Sequence, residues 1–280
     1  MKTLKEYIEE SILDVDDLVA DDNPFIEKWL KENCEIQGSY TIKNGVVNVK
    51  GSVKITNKNI KSIDIQFGAV TGNFRCDYCK QLSSIQGAPK EVGGDFDCSD
   101  CYSLTSLEGA PKEVGGSFMC SWCRDLASIH DAPKKVGSFN CYHCISLTSL
   151  QGASEEVDGY FTCMECHSLT SLEGAPKEVD GNFNCSYCSS LTSLEGAPKE
   201  VGGNFNCSYC SSLTSLEGAP KEVGTFDCSR CPSLTSLKGA PEKVRGHFSC
   251  TSCKSLTTLE GAPKKVGGKV KHARCPKLKK

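Results

Sequence analysis

The feature that most constrains this chain is a repeat that runs from about Val49 to the C-terminus. Its clearest unit is Val201-Gly-Gly-Asn-Phe-Asn-Cys-Ser-Tyr-Cys-Ser-Ser-Leu-Thr-Ser-Leu-Glu-Gly-Ala-Pro-Lys-Glu222. The first cysteine of each unit falls at Cys76, Cys98, Cys120, Cys141, Cys163, Cys185, Cys207, Cys228 and Cys250, in steps of 21 or 22 residues. A period in the twenties with fixed apolar positions implies a solenoid. Phe205 and Cys207 lie two apart and point the same way in a strand. Cys210, Leu213 and Leu216 step by three, which suits a tight turn rather than a strand. Gly218-Ala-Pro220 and Gly202-Gly203 supply sharp bends. One such coil cannot bury its apolar side alone. Stacked coils can, with Phe on Phe, Cys on Cys and Leu on Leu.

The pattern Phe-x-Cys-x-x-Cys-x-x-Leu-x-x-Leu resembles the leucine-rich repeat in its cysteine-containing form, over roughly residues 49–280. The resemblance implies a right-handed coil with parallel strands on a concave face, binding on that face, and no catalytic activity. Phe and Cys stand where Leu is usual, and Gly-Ala-Pro replaces helix formers, so little convex helix is expected. The fold class is thus a mainly β solenoid. It divides into an N-terminal helical segment (1–35), a β cap with a degenerate first repeat (36–69) and the regular solenoid (70–280).

Residues 4–19 read as an amphipathic helix through Leu4, Ile8, Ile12 and Val15. Asn23 is a candidate N-cap and Pro24 suits a first helical turn, opening a second helix that ends near Asn33. That helix is expected to bury Phe25 and Trp29 against the first coil. Asn44-Gly45 lies between two alternating runs and reads as a hairpin turn. Val49 to Ile55 aligns with Val201 to Cys207, placing Ile55 and Lys58 at the two cysteine positions of a degenerate coil. The opening Met1 to Glu10 resembles the capsid-targeting peptides of internal head proteins in tailed bacteriophages, with Ile8-Glu9-Glu10 at the expected cleavage motif. The plain alternative is a starter helix.

The repeated Cys-x-x-Cys pairs admit three readings: metal ligands, disulfides, or small apolar core groups. The core reading has the stronger support, because Ile55 replaces the first cysteine where a ligand would be lost and a core group kept. The residues flanking the pairs are not enriched in the His or acid partners that orient metal ligands. No cofactor and no metal ligand is therefore assigned. The five histidines, His130, His143, His167, His247 and His272, lie on different coils without a repeating acid partner. No metalloprotease, phosphate-loop or nucleophile-elbow motif is present, so no enzyme activity is expected.

The net charge of −3 argues against a nucleic-acid partner. Eight Lys or Arg in residues 264–280 read as a solvated solenoid end. No apolar run reaches the ~18 residues of a membrane span, and the acid-rich opening does not read as a secretory signal. A reducing cytoplasm is the expected location, with the virion as the alternative that the phage resemblance implies. Within the repeat, Phe, both Cys and both Leu barely change, whereas outward positions vary. The candidate partner-binding residues on the strand face are Tyr78, Met119, Trp122, Tyr142, His143, Tyr160, Met164, Tyr187, Tyr209 and Arg230. Met119, Trp122, Tyr142, His143, Tyr160 and Met164 are expected to be neighbours by stacking. The expected partner is a protein, with no small-molecule substrate.

Overall fold

The computed structural model describes residues 3–13 and 23–279, with backbone only for residues 10–13. Its backbone is a parallel β-solenoid. The ladder that organises it runs Val53, Phe74, Phe96, Phe118, Phe139, Phe161, Phe183, Phe205, Phe226, Phe248 and Val270, each paired in parallel with the next. Most strands in it are two residues long. Their brevity follows from the sequence, since a glycine corner precedes Phe and a left-handed bend follows the first cysteine.

A second parallel ladder accompanies the first. It joins Val70, Val92, Val114, Val136, Val157, Val179 and Val201, and continues in a smaller sheet through Val223, Val244 and Val266. The repeat pattern, read from the sequence alone, assigns no strand to this valine. The structure places it in a strand of its own in most coils, with the corner between it and the Phe strand, whereas at Glu113–Met119 and Lys135–Asn140 the two segments run together as one strand.

The interior is a set of one-residue columns. The phenyl rings from Phe74 to Phe248 stack with centroids 5.1–5.8 Å apart and planes within 20° of parallel. Both cysteines of the regular coils are fully buried beside them, as are both leucines (Ile85 and Ile129 at two second positions) except Leu259 of the last regular coil, which is partly buried. Small polar residues hold the turns. Asn182 Oδ1 accepts the amide of Asn204 at 2.8 Å, and Asn204 Oδ1 accepts that of Thr225 at 2.9 Å. Ser215 Oγ accepts the amide of Glu217 two residues on, and Thr214 Oγ1 donates to Thr192 O of the preceding coil. These are local side-chain substitutes for backbone pairing.

The first helix, α1 (Leu4–Leu13), opens with a reciprocal cap: the Thr3 amide donates to Glu6 Oε2, and the Glu6 amide to Thr3 Oγ1. Its Ile8 is fully buried. The part of the expected helix beyond Leu13, including Val15, lies outside the described residues. The second helix, α2 (Pro24–Asn33), is capped as the sequence suggests, with Asn23 Oδ1 accepting from the Phe25 and Ile26 amides. Trp29 is buried and meets Phe67 edge-on at 6.5 Å, and Phe67 in turn meets Phe74 edge-on at 5.2 Å. The phenyl column is thus closed at its N-terminal end by aromatic edges.

Phe25 does not share that burial: it is 59% exposed. The buried stripe of α2 is Ile26, Trp29, Leu30 and Asn33, and Phe25 lies on its flank in the first turn. The hairpin forms as expected, with β1 (Cys34–Lys43) antiparallel to β2 (Val46–Ile55) around Asn44-Gly45 at φ 50° and 75°. Both positive angles suit the turn favoured by Asn-Gly. The end of β2 is the degenerate first coil. Ile55 is fully buried in the cysteine column, and Lys58 Nζ donates to Ile55 O and Asp77 O.

Removing one ring from the middle of the column should cost far more than trimming its open end. Phe183→Ala is expected to destabilise the protein by about 3–5 kcal/mol. Val270→Ala, at a site 47% exposed, should change stability little. Chemical unfolding of both variants measures the contrast.

Candidate functional site

The residue before the second cysteine has the same backbone throughout the array. Tyr78, Asp100, Trp122, His143, Glu165, Tyr187, Tyr209, Arg230, Ser252 and Arg274 all have φ between 57° and 62°. The left-handed region favours Gly, Asn and Asp, and a bulky residue there costs roughly 1–2 kcal/mol. The bend is structural: it turns the chain so that both thiols enter the core. From Tyr78 to Ser252 the amide of each such residue reaches the next coil, as from Trp122 to Tyr142 O at 2.8 Å and from His143 to Met164 O at 2.9 Å. The identity of the side chain is not fixed by that bend. The sequence displays the variability of this row but not its strained backbone, which no simple pattern signals when glycine is absent.

The side chains of the row stack from coil to coil. The Trp122 ring lies 3.9 Å from that of His143 and meets Tyr142 edge-on at 5.6 Å. Tyr187 and Tyr209 stack at 4.1 Å, and the Arg230 guanidinium lies 4.7 Å over Tyr209. Arg124 reaches both Trp122 and Tyr102. Such contacts offset part of the strain.

Of the expected neighbours, Trp122, Tyr142 and His143 are joined directly by ring contacts. Met164 lies one coil on, its sulfur accepting from Asn184 Nδ2 at 3.7 Å. Met119 is in the Phe ladder opposite Asn140, half-buried. Tyr160 is exposed at the corner before Phe161, and its amide donates to Ser138 Oγ. Among the described residues, the ring contacts of the Trp122 cluster do not extend to it. Tyr78 is 56% exposed, the most open aromatic side chain of the row.

The outward position between Phe and the first cysteine is less free than it looks in the sequence. Asp97, Asn140, Asn184, Asn206 and Asp227 each accept, through Oδ1, the amide two residues on. Their carboxyl and amide groups shape the bend, and the recurring Asn/Asp was the signal for it.

The thiols are proton donors. Cys101, Cys188 and Cys210 donate from Sγ to the carbonyls of Cys76, Cys163 and Cys185, each at 3.2 Å. Cys98, Cys141 and Cys228 donate to Met119, Thr162 and Ser249 at 3.3–3.4 Å. A sulfur engaged in this way holds its proton. Burial raises Cys79 and Cys250 to about 12 and Cys253 to about 11. All cysteines are free, and the two outside the closed columns, Cys34 and Cys275, are partly exposed.

Among the described residues, the group of potential ligand atoms that converges within 4.8 Å is made of His143, Glu165 and His167 rather than sulfur. His143 Nδ1 lies 2.9 Å from Glu165 Oε2, and Tyr142 Oη donates to the same oxygen at 3.2 Å. Glu165 and His167 are not among the candidate residues that the sequence suggests. The signal was the one-coil step from His143 to Glu165, which stacking turns into contact.

No helix among the described residues is long and apolar enough to cross a membrane. No protein-family model, curated protein or solved structure matches the chain.

Two outcomes follow for the thiols. A thiol whose folded pKa exceeds its unfolded value keeps its proton only in the fold. Its contribution to stability is complete below the ordinary value of 9.0 and is lost as pH rises towards the folded values of about 11 to 12. Each buried thiol steepens that loss by up to about 1.4 kcal/mol per pH unit. Thermal melts from pH 7 to 11 should therefore show a Tm that is flat below pH 9 and falls steeply above it. Native-state labelling at neutral pH should modify Cys275 first and leave the columns unreacted until the chain unfolds.

Proposed function

We propose that the chain is a non-enzymatic recognition scaffold that binds a protein partner through the row of left-handed residues and their neighbours. The observation that supports this most is the choice of side chains at that row. Its backbone favours Gly or Asn, yet the positions hold Tyr, Trp, Arg and His. Such side chains, partly exposed and pre-stacked, lose little freedom on binding and are the usual anchors of an interface. The rigid column beneath fixes their spacing at one coil per side chain.

The leucine-rich-repeat resemblance supports the same reading, since it implies binding on the strand-lined, concave side. The net charge of −3 favours a protein over a nucleic acid as the occupant. The neutral, donating thiols support a structural part for the cysteines over a metal-binding array. Full burial of Ile8 supports a structural part for α1 over a cleaved capsid-targeting leader.

The test is quantitative binding to a partner captured from the native cell. Trp122→Ala and Tyr209→Ala should each weaken binding by about 2 kcal/mol, roughly thirtyfold in Kd, at unchanged Tm. Lys238→Ala, on a side chain of the outer turn, should leave it unchanged. Equal affinity for all three variants would reject the surface.

A further inference from the structure

We propose that His143, Glu165 and His167 form a binding site for a divalent transition-metal ion of the zinc class. His143 and Glu165 occupy the left-handed position of consecutive coils, so the fold aims their side chains alike and one coil apart. His167 follows Glu165 by two residues on the same coil. One ligand atom from each lies within 4.8 Å of the others. His143 Nδ1 and Glu165 Oε2 are 2.9 Å apart as a hydrogen-bonded pair, and a metal ion would replace the shared proton and set them at the spacing of adjacent ligand atoms in a tetrahedral shell. Metal–ligand lengths of about 2.0–2.2 Å make that spacing about 3.3 Å. Small side-chain rotations close the remaining distance.

Each ligand has a partner that holds it in place, as ligands at built metal sites do. His167 Nδ1 lies 3.0 Å from the carbonyl oxygen of Tyr187. A carbonyl only accepts, so Nδ1 carries the proton and Nε2 of the neutral ring keeps its lone pair for a metal. Tyr142 Oη donates to the Glu165 carboxylate. The Trp122 ring packs on His143 at 3.9 Å and limits its rotation. The side chains of His143 and Glu165 are 18% and 23% exposed, whereas His167 is open to solvent. Water can therefore complete the shell.

Two imidazoles and one carboxylate suit zinc, cobalt, nickel or copper ions rather than calcium or magnesium, which take oxygen. Three protein ligands with a fourth position left to water is an open coordination site. The inference does not rest on partner binding, because the isolated chain reads it.

The experiment titrates the full chain, thiols reduced, with Zn²⁺ by calorimetry and with Co²⁺ by visible absorption. The expected result is one ion per chain, a cobalt spectrum without a thiolate charge-transfer band, and quenching of Trp122 emission by bound Co²⁺. Glu165→Gln and His167→Ala should each weaken binding by about tenfold or more. His167 is exposed, so its variant should keep the wild-type circular-dichroism spectrum. Three results would overturn the proposal: no saturable binding at millimolar Zn²⁺, a thiolate charge-transfer band, or unchanged affinity in both variants.

Discussion

Phe183 donates its amide to Asn204 O, Cys185 to Asn206 O and Tyr187 to Ser208 O, and equivalent bonds recur from coil to coil. These bonds set one vertical spacing for the molecule. At that spacing identical side chains fall on one another, so a column of Phe becomes a continuous ring stack. A column of thiols likewise becomes a row of buried donors. The backbone is satisfied by the neighbouring coil, and the apolar groups are dried by the same neighbour. Stability therefore resides in interfaces between coils rather than within any of them.

The ends show what this dependence requires. At the start, Trp29 and Phe67 turn edge-on to the column, and Ile55 fills the cysteine place. At the far end Val270 is exposed, and the last coil carries lysines in place of further apolar groups.

Much of the fold was legible because the repeat compares each position with itself. Phe, Cys and Leu that barely change mark the core, and Asn44-Gly45 marks its hairpin by chemistry alone. The valine ladder was less visible: beside Gly-Gly, Val201 looks like the edge of a turn. Phe25 was misjudged because a short helix leaves little periodicity to separate stripe from flank. The site was legible only as a row of variable residues. Its left-handed backbone is carried by Tyr, Trp and Arg, which advertise no such conformation. The meeting of His143, Glu165 and His167 depends on register between coils, and a linear pattern does not display it.

The central claim is that the Phe and Cys amides are locked from coil to coil around the stacked rings. Native-state hydrogen exchange resolved at single amides tests it most directly. Amides of Phe and first Cys from Phe96 to Cys228 should be the slowest in the molecule and should exchange only with global unfolding. Fast exchange at those amides, at rates matching the exposed hairpin turn, would contradict the account.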